Sequence, residues 1–212
     1  MSRHGLVRHG HGPSHAGGAG HMVMVGRHAA WFDRLSGWAL PWLYRTVAAR
    51  VVADLRPGAA LLDVGTGPGR LLLEVARRRP DVEVSGVDPS ADMIGHVAGN
   101  AERAGLAGRV RAVIGSAEEI PHPDASFDAV VSSLSAHHWA DVTRAIAEQA
   151  RVLRPGGSLW VFDLRGKSAP GLVAALESRF SANDITRPRQ RWPVSLLLTC
   201  HRAVMAPGAE PA

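Results

Sequence analysis

Cysteine occurs once in the 212 residues, at Cys200. That excludes an internal disulfide and a cysteine-built zinc site. No uninterrupted apolar run approaches the ~20 residues that a membrane span needs. The opening stretch, MSRHGLVRHGHGPSHAGGAGHM, has no apolar core of signal-peptide length. A reducing cytoplasm is therefore the expected setting. Lysine is nearly missing too. The positive charge is almost all arginine, spread along the chain, for a formal net charge of +5. Without a basic cluster, this balance weighs against a nucleic-acid surface. Aromatic residues make up only 5% of the chain, so their crowding at Trp31, Phe32, Trp38, Trp42 and Tyr44 stands out.

What is present is a globular composition, 46% apolar and 20% charged, in a length that suits one domain with a real core. Residues 1–26 depart from it. They are rich in Gly and His, show no hydrophobic period, and cannot bury enough apolar surface to offset their ordering entropy. A disordered tail is expected. Its histidines have no carboxylate or cysteine among them, so adventitious metal binding is favoured over a built metal site. Residues 206–212 read as a second, short tail. Residues 27–56 read as a helical segment that Pro41 breaks or restarts, with Val47, Val51, Val52 and Leu55 at helical spacing. Three roles stay open for it: a helix packed on the core, an aromatic lid over an apolar substrate, or a helix on a membrane surface.

Residues 57–205 alternate. Strands are expected at ALLDV (60–64), VEVSGVD (82–88), RVRAVIG (109–115), FDAVVSS (127–133), GSLWVFD (157–163) and VSLLLTCHRA (194–203). Helices are expected at 69–80, 90–105, 140–153 and 171–180. Such alternation implies an α/β, doubly wound, mostly parallel sheet with helices on both faces. ITRPRQRWPVSLLL has no room for a further full helix. It suits a short strand and hairpin that add an antiparallel edge.

Chemistry concentrates where the first strand ends, in LLDVGTGPG. Ligands of open α/β sheets sit at the carboxyl ends of the strands. Gly65, Gly67 and Gly69 permit a tight turn and close approach of a ligand to the main chain. The dinucleotide fingerprint needs a third glycine where Arg70 stands, and no Gly-Lys-Ser/Thr follows to grip a phosphate. The loop therefore suits a nucleoside-type ligand without phosphate. Asp88 ends the second strand about twenty residues on, where a carboxylate can accept both ribose hydroxyls. Asp63 ends the first strand and is placed to orient the loop amides or to attract a cationic group.

With these residues the chain resembles the class I S-adenosylmethionine-dependent methyltransferases, in the branch similar to ubiquinone/menaquinone biosynthesis enzymes. LLDVGTGPG resembles the family's first motif and VSGVDPSADMI its second. GSAEEIPHPDASFDAVVSSLSAHHW resembles the adenine-edge stretch and fourth strand, and RVLRPGGSLWVFD the turn and fifth strand. The resemblance covers roughly residues 30 to 203. It implies a Rossmann-like, seven-stranded sheet in the order 3-2-1-4-5-7-6 and S-adenosyl-L-methionine as cofactor. The implied cofactor residues are Asp63, Gly65, Thr66, Gly67, Gly69, Asp88, Pro89, Met93, Ser116, Ala117 and Ser133. Asp88 takes the ribose position and Met93 the place that packs on adenine. Two departures matter. Ser116 stands where the family often has Asp against the adenine amino group, and Phe32-Asp33 replaces a pair that commonly carries tyrosine.

Methyl transfer from a sulfonium is an in-line displacement, in which alignment alone can contribute ~7–11 kcal/mol. Asp63 and Asp88 are assigned to binding, because a carboxylate at the sulfur would oppose the dispersal of its charge. A general base is needed only for an acceptor with a proton to lose. His137, His138 and Asp141 follow the fourth strand. His138 is the candidate base, against the alternative that the His-His-aromatic run is structural. The absence of an Asn-Pro-Pro-Tyr-like element lowers the case for an exocyclic nitrogen acceptor. A small apolar or aromatic acceptor is expected. The rivals are a non-catalytic cofactor-binding module, an RNA methyltransferase, and a nicotinamide oxidoreductase, which Arg70 opposes. The run Arg187–Arg191 reads as a solvated edge.

Overall fold

The computed structural model describes residues 40–166, 169–189 and 194–208. The Gly/His tail and the aromatic residues Trp31, Phe32 and Trp38 lie outside them.

Helix α1 (Pro41–Val52) begins where Pro41 was expected to restart the chain. Proline suits this first turn, because its missing N–H would have had no helical partner there. Strand β1 (Ala60–Val64) follows, then α2 (Arg70–Arg78), β2 (Glu83–Asp88), α3 (Ala91–Arg103), β3 (Val110–Ile114) and β4 (Phe127–Ser133). A 3-10 turn at Ala136–His138 leads to α4 (Val142–Val152), β5 (Leu153–Leu164) and α5 (Leu172–Glu177). A second 3-10 turn (Ala182–Asp184), β6 (Ile185–Thr186), the short α6 (Val194–Leu197) and β7 (Leu198–Val204) complete the order. Helix α2 ends just before Pro80, with Arg77 and Arg78 in its last turn, where cations favour the helix C-terminus. The N-caps of α3 and α4 are Ser90 and Asp141, whose side chains accept from the amides of Met93 and Arg144.

One sheet of seven strands runs β3-β2-β1-β4-β5-β7-β6. The first five pair in parallel, and β7 runs antiparallel to both β5 and β6. The doubly wound sheet, the antiparallel edge and the implied strand order are all present. The last strand is shorter than expected. Residues 194–197 form a helical turn, because β5 stops at Leu164, which pairs with Leu198. Upstream of Leu198 no β5 residue remains to pair with.

The core has two halves, one on each face. Leu61, Val131, Trp160 and Phe162 meet α1, α2 and α3 on one side. Leu62, Val64, Val130, Leu159 and Val161 meet α4 and α5 on the other. The alternation follows from the pleat, which sends successive side chains to opposite faces. Strands buried on both faces account for the nearly continuous apolar runs in the sequence. Helix α1 belongs to this core through Leu43, Val47, Ala48 and Val51. Trp160 is fully buried, stacks on Phe162, and has the guanidinium carbons of Arg50 and Arg202 at 5.5 and 5.1 Å from its ring centre. That arrangement fastens α1 to β5 and β7. The strand order reverses between β1 and β4, and their carboxyl ends face the functional site.

Candidate functional site

A cavity of about 510 Å³ opens at the carboxyl ends of the strands, within the usual range for small-ligand sites. Its first wall is the turn after β1. Gly65 and Gly67 have φ of 71° and 53°, left-handed values that side chains disfavour. A Cβ at Gly65 would collide with the Ser135 side chain. Thr66 and Pro68 complete this wall.

Asp88 ends β2 and joins two loops. Its Oδ2 accepts from the Gly67 amide at 2.8 Å and its Oδ1 from the Ser90 amide at 2.9 Å. Burial raises its carboxyl above the ordinary value, against the pull of those two N–H donors. Each oxygen keeps acceptor capacity beyond its one bond. Pro89, Met93, Ser116, Ala117 and Ser133 also line the cavity, as does His138.

Two of the expected cofactor residues are not on the wall. Asp63 is fully buried behind it, and its Oδ2 accepts from the Thr66 hydroxyl at 2.8 Å. Its Oδ1 has no partner. Burial pushes its carboxyl up to about 7, the Thr66 hydroxyl opposes this, and the charge of Asp88 adds to it. Gly69 is the left-handed residue ahead of α2, where a Cβ would come within 3.0 Å of Val97. The close approach it allows is between the loop and α3. Asp141 is also off the wall, since its side chain caps α4.

Other wall residues were not singled out from the sequence: Leu40, Glu118, Leu134 and Leu164. Tyr44, of the aromatic group in residues 31–44, and Trp139, of the His-His-aromatic run, line the wall as well. Glu118 Oε1 accepts from the amides of Ala140 and Asp141, at 2.8 and 3.3 Å, and so ties the loop after β3 to the start of α4. Tyr44 reaches the cavity from α1, and burial raises its phenol well above the ordinary range. Leu134 has φ 59°, a strained value for a leucine and one that concentrates at functional sites. No periodicity marks such a residue, so only the backbone reveals it. His137, on the same wall, has its Nδ1 2.6 Å from Asp163 Oδ1. Cys200 is buried, with its thiol pushed up to about 12 by that burial, and offers no nucleophile here.

Among the described residues no group of three or more His, Cys, Asp or Glu side chains could hold a metal. No helix among them is long and apolar enough to cross a membrane.

Residues 62–161 match the family model described as a methyltransferase domain. The chain is 40% identical over 124 residues to a 27-O-demethylrifamycin SV methyltransferase of Amycolatopsis mediterranei, covering 58% of this chain and 45% of that protein. It is 30% identical over 158 residues to a ubiquinone/menaquinone biosynthesis C-methyltransferase of Dinoroseobacter shibae, covering 74% and 57%. The chain thus spans about half the length of these curated relatives. Among solved structures, one described as the [4+2]-cyclase SpnF superposes with a TM-score of 0.65 at 25% identity, over 79% of this chain and 81% of that one. The fold alone therefore does not name the reaction. The strand order, the glycine turn and the matched stretch agree: residues 62–161 are similar to the methyltransferase-domain family.

Proposed function

We propose that the chain is an S-adenosyl-L-methionine-dependent methyltransferase with a small, apolar or aromatic acceptor. The observation that carries this is Asp88, which joins the Gly67 amide to the Ser90 amide at the cavity wall. That link sets a diol-accepting carboxylate beside a turn in which Gly65 has no room for a side chain. The donor set fits a nucleoside without phosphate, because the turn carries neither a lysine nor the third glycine of a pyrophosphate grip.

The Gly65–Gly67 backbone would hold the amino-acid part of the cofactor, and Asp88 the ribose. Pro89 and Met93 would flank the adenine, with Ser116 and Ala117 at its edge and Ser133 beside the turn after β4. Asp63 acts through Thr66, and Gly69 through the packing of α2 on α3. When bound, the cofactor supplies an activated methyl group. The chain aligns the acceptor and excludes water, which is the larger part of what such a reaction needs. Leu40, Tyr44, Leu134, Trp139 and Leu164 give the acceptor side its apolar character. Helix α1 is thus both core helix and cavity wall, and residues 27–56 would act as a cap on a unit formed by residues 57–205. A lone, buried cysteine suits the cytoplasm.

Calorimetric titration with S-adenosylhomocysteine tests this reading. The wild-type chain should bind in the micromolar range. Gly67→Arg places a long charged side chain in the cavity and should weaken binding by about 100-fold or more, the scale of two lost charge-assisted hydrogen bonds. Absence of binding by the wild type would overturn the proposal.

A further inference from the structure

Asp163 lies near the end of β5 with its side chain 1% exposed. Its Oδ1 accepts from the Leu164 amide at 2.8 Å and lies 2.6 Å from His137 Nδ1. Its Oδ2 is buried without a partner. A buried acid held this way is poor value for stability alone, since an apolar side chain of similar size would fill the space without the desolvation penalty. His137 lies on the cavity wall, in the turn after β4. With a carboxylate as acceptor, Nδ1 carries the hydrogen, and Nε2 keeps the basic lone pair of the ring.

The turn bearing His137 is held from several sides. Leu134 takes its left-handed conformation with its amide on the Phe162 carbonyl at 2.8 Å. The Ser135 hydroxyl donates to the Val64 carbonyl at 3.0 Å and lies 2.7 Å from the Ser132 hydroxyl. The His138 ring packs against that of His137 at 4.0 Å between centres. The wall around them is apolar and aromatic, through Tyr44, Leu134, Trp139 and Leu164.

From this juxtaposition we infer that His137 is the general base of the site, with Asp163 as its positioning residue, and that the acceptor is an apolar, ring-bearing molecule with a hydroxyl. The inference rests on the methyltransferase reading. The acceptor oxygen forms a bond to the methyl carbon of the sulfonium donor as the carbon–sulfur bond breaks, and that electron pair returns to sulfur. The hydroxyl proton passes to His137 Nε2, and the Asp163 carboxylate balances the imidazolium charge. The proton then leaves to solvent. An acceptor with no proton to lose, such as a thioether or a tertiary amine, would use none of this machinery.

Nitrogen-15 NMR of the histidine-labelled full chain, saturated with S-adenosylhomocysteine and titrated with 2-naphthol as probe, reads the ring directly. His137 should be in the Nδ1–H tautomer, and its Nε2 resonance should move as 2-naphthol is added. Asp163→Asn should abolish the single tautomer while leaving S-adenosylhomocysteine affinity within about twofold. In turnover with hydroxyl-bearing aromatic acceptors, His137→Gln should lower kcat on the order of 10²–10⁴-fold with little change in KM. An Nε2–H tautomer in the wild type, an Nε2 resonance that 2-naphthol leaves unmoved, or unchanged kcat in His137→Gln would each overturn the base assignment. Failure of the wild type to bind S-adenosylhomocysteine would instead overturn the methyltransferase reading beneath it.

Discussion

At the amino edge of the sheet, Asp128 on β4 is held by three donors: the Arg56 guanidinium, Arg154 Nη1 at 2.7 Å and the Ala60 amide at 2.8 Å. Nearby, Arg151 bridges Asp124 and Glu148 and donates to the carbonyls of Ile120 and His122. At the carboxyl edge, Asp63 is fully buried, has only the Thr66 hydroxyl, and leaves one oxygen unpartnered. Asp163 leaves an oxygen unpartnered too. Gly65, Gly67, Gly69 and Leu134 are left-handed at this edge, as Gly58 and Ala125 are at the other. The same residue type, aspartate near a strand end, is thus fully satisfied at Asp128 on the amino edge and at Asp88 on the cavity wall, and under-satisfied at Asp63 and Asp163 behind that wall. Proteins tolerate such local conflict at sites and offset it elsewhere.

The largest test of this contrast is Asp63. Its carboxyl is raised to about 7 in the folded chain, so the fold favours the protonated form. The stability this contributes is complete below the unfolded value and is lost as pH rises through about 7. Asp63→Asn is neutral at every pH and removes that loss. Urea unfolding at pH 4.5 and pH 8 should show the variant gaining on the wild type at the higher pH, by roughly 3 kcal/mol. An identical gap at both values would mean that Asp63 is not the strained acid proposed.

Asp128→Ala probes the other edge. Arg56 and Arg154 are 69% and 39% exposed and can return to water, so the lasting defect is the part-buried Ala60 amide. A loss of about 1–2 kcal/mol is expected. Unchanged stability in the variant would mean that the three donors do not fasten this edge. Smallest of all is Arg77→Ala, which removes an exposed contact to Glu74 at 3.5 Å. Glu74 keeps Arg45 and Arg78 nearby, and the melting temperature should barely move, since such pairs contribute about 0.5 kcal/mol or less.

Much of the molecule was legible in its residues. The alternation of apolar runs with amphipathic stretches gave the strands and helices to within a few residues, because burial on both sheet faces writes a strong local signal. Pro41 and Pro80 marked helix ends by the hydrogen bond that proline cannot make. The glycine turn and Asp88 were visible for the same reason: each answers a local steric or hydrogen-bonding demand. Leu40 and Leu164 reach the cavity from distant parts of the chain, and nothing in their neighbours foretold it, whereas Tyr44 belongs to the aromatic group for which a lid was one of the roles left open. The helical turn at Val194–Leu197 was hidden as well, since it depends on where β5 runs out.

The sequence by itself determined most of the element types, the doubly wound sheet and the glycine turn after β1, because these follow from periodicity and backbone sterics acting over a few residues. Tertiary structure alone decided which histidine of the pair has a carboxylate at 2.6 Å and which aspartate is buried without a full set of partners. Those outcomes depend on distances between residues far apart in the chain. Asp163 is 26 positions from His137, and only the pairing of β4 with β5 brings them together.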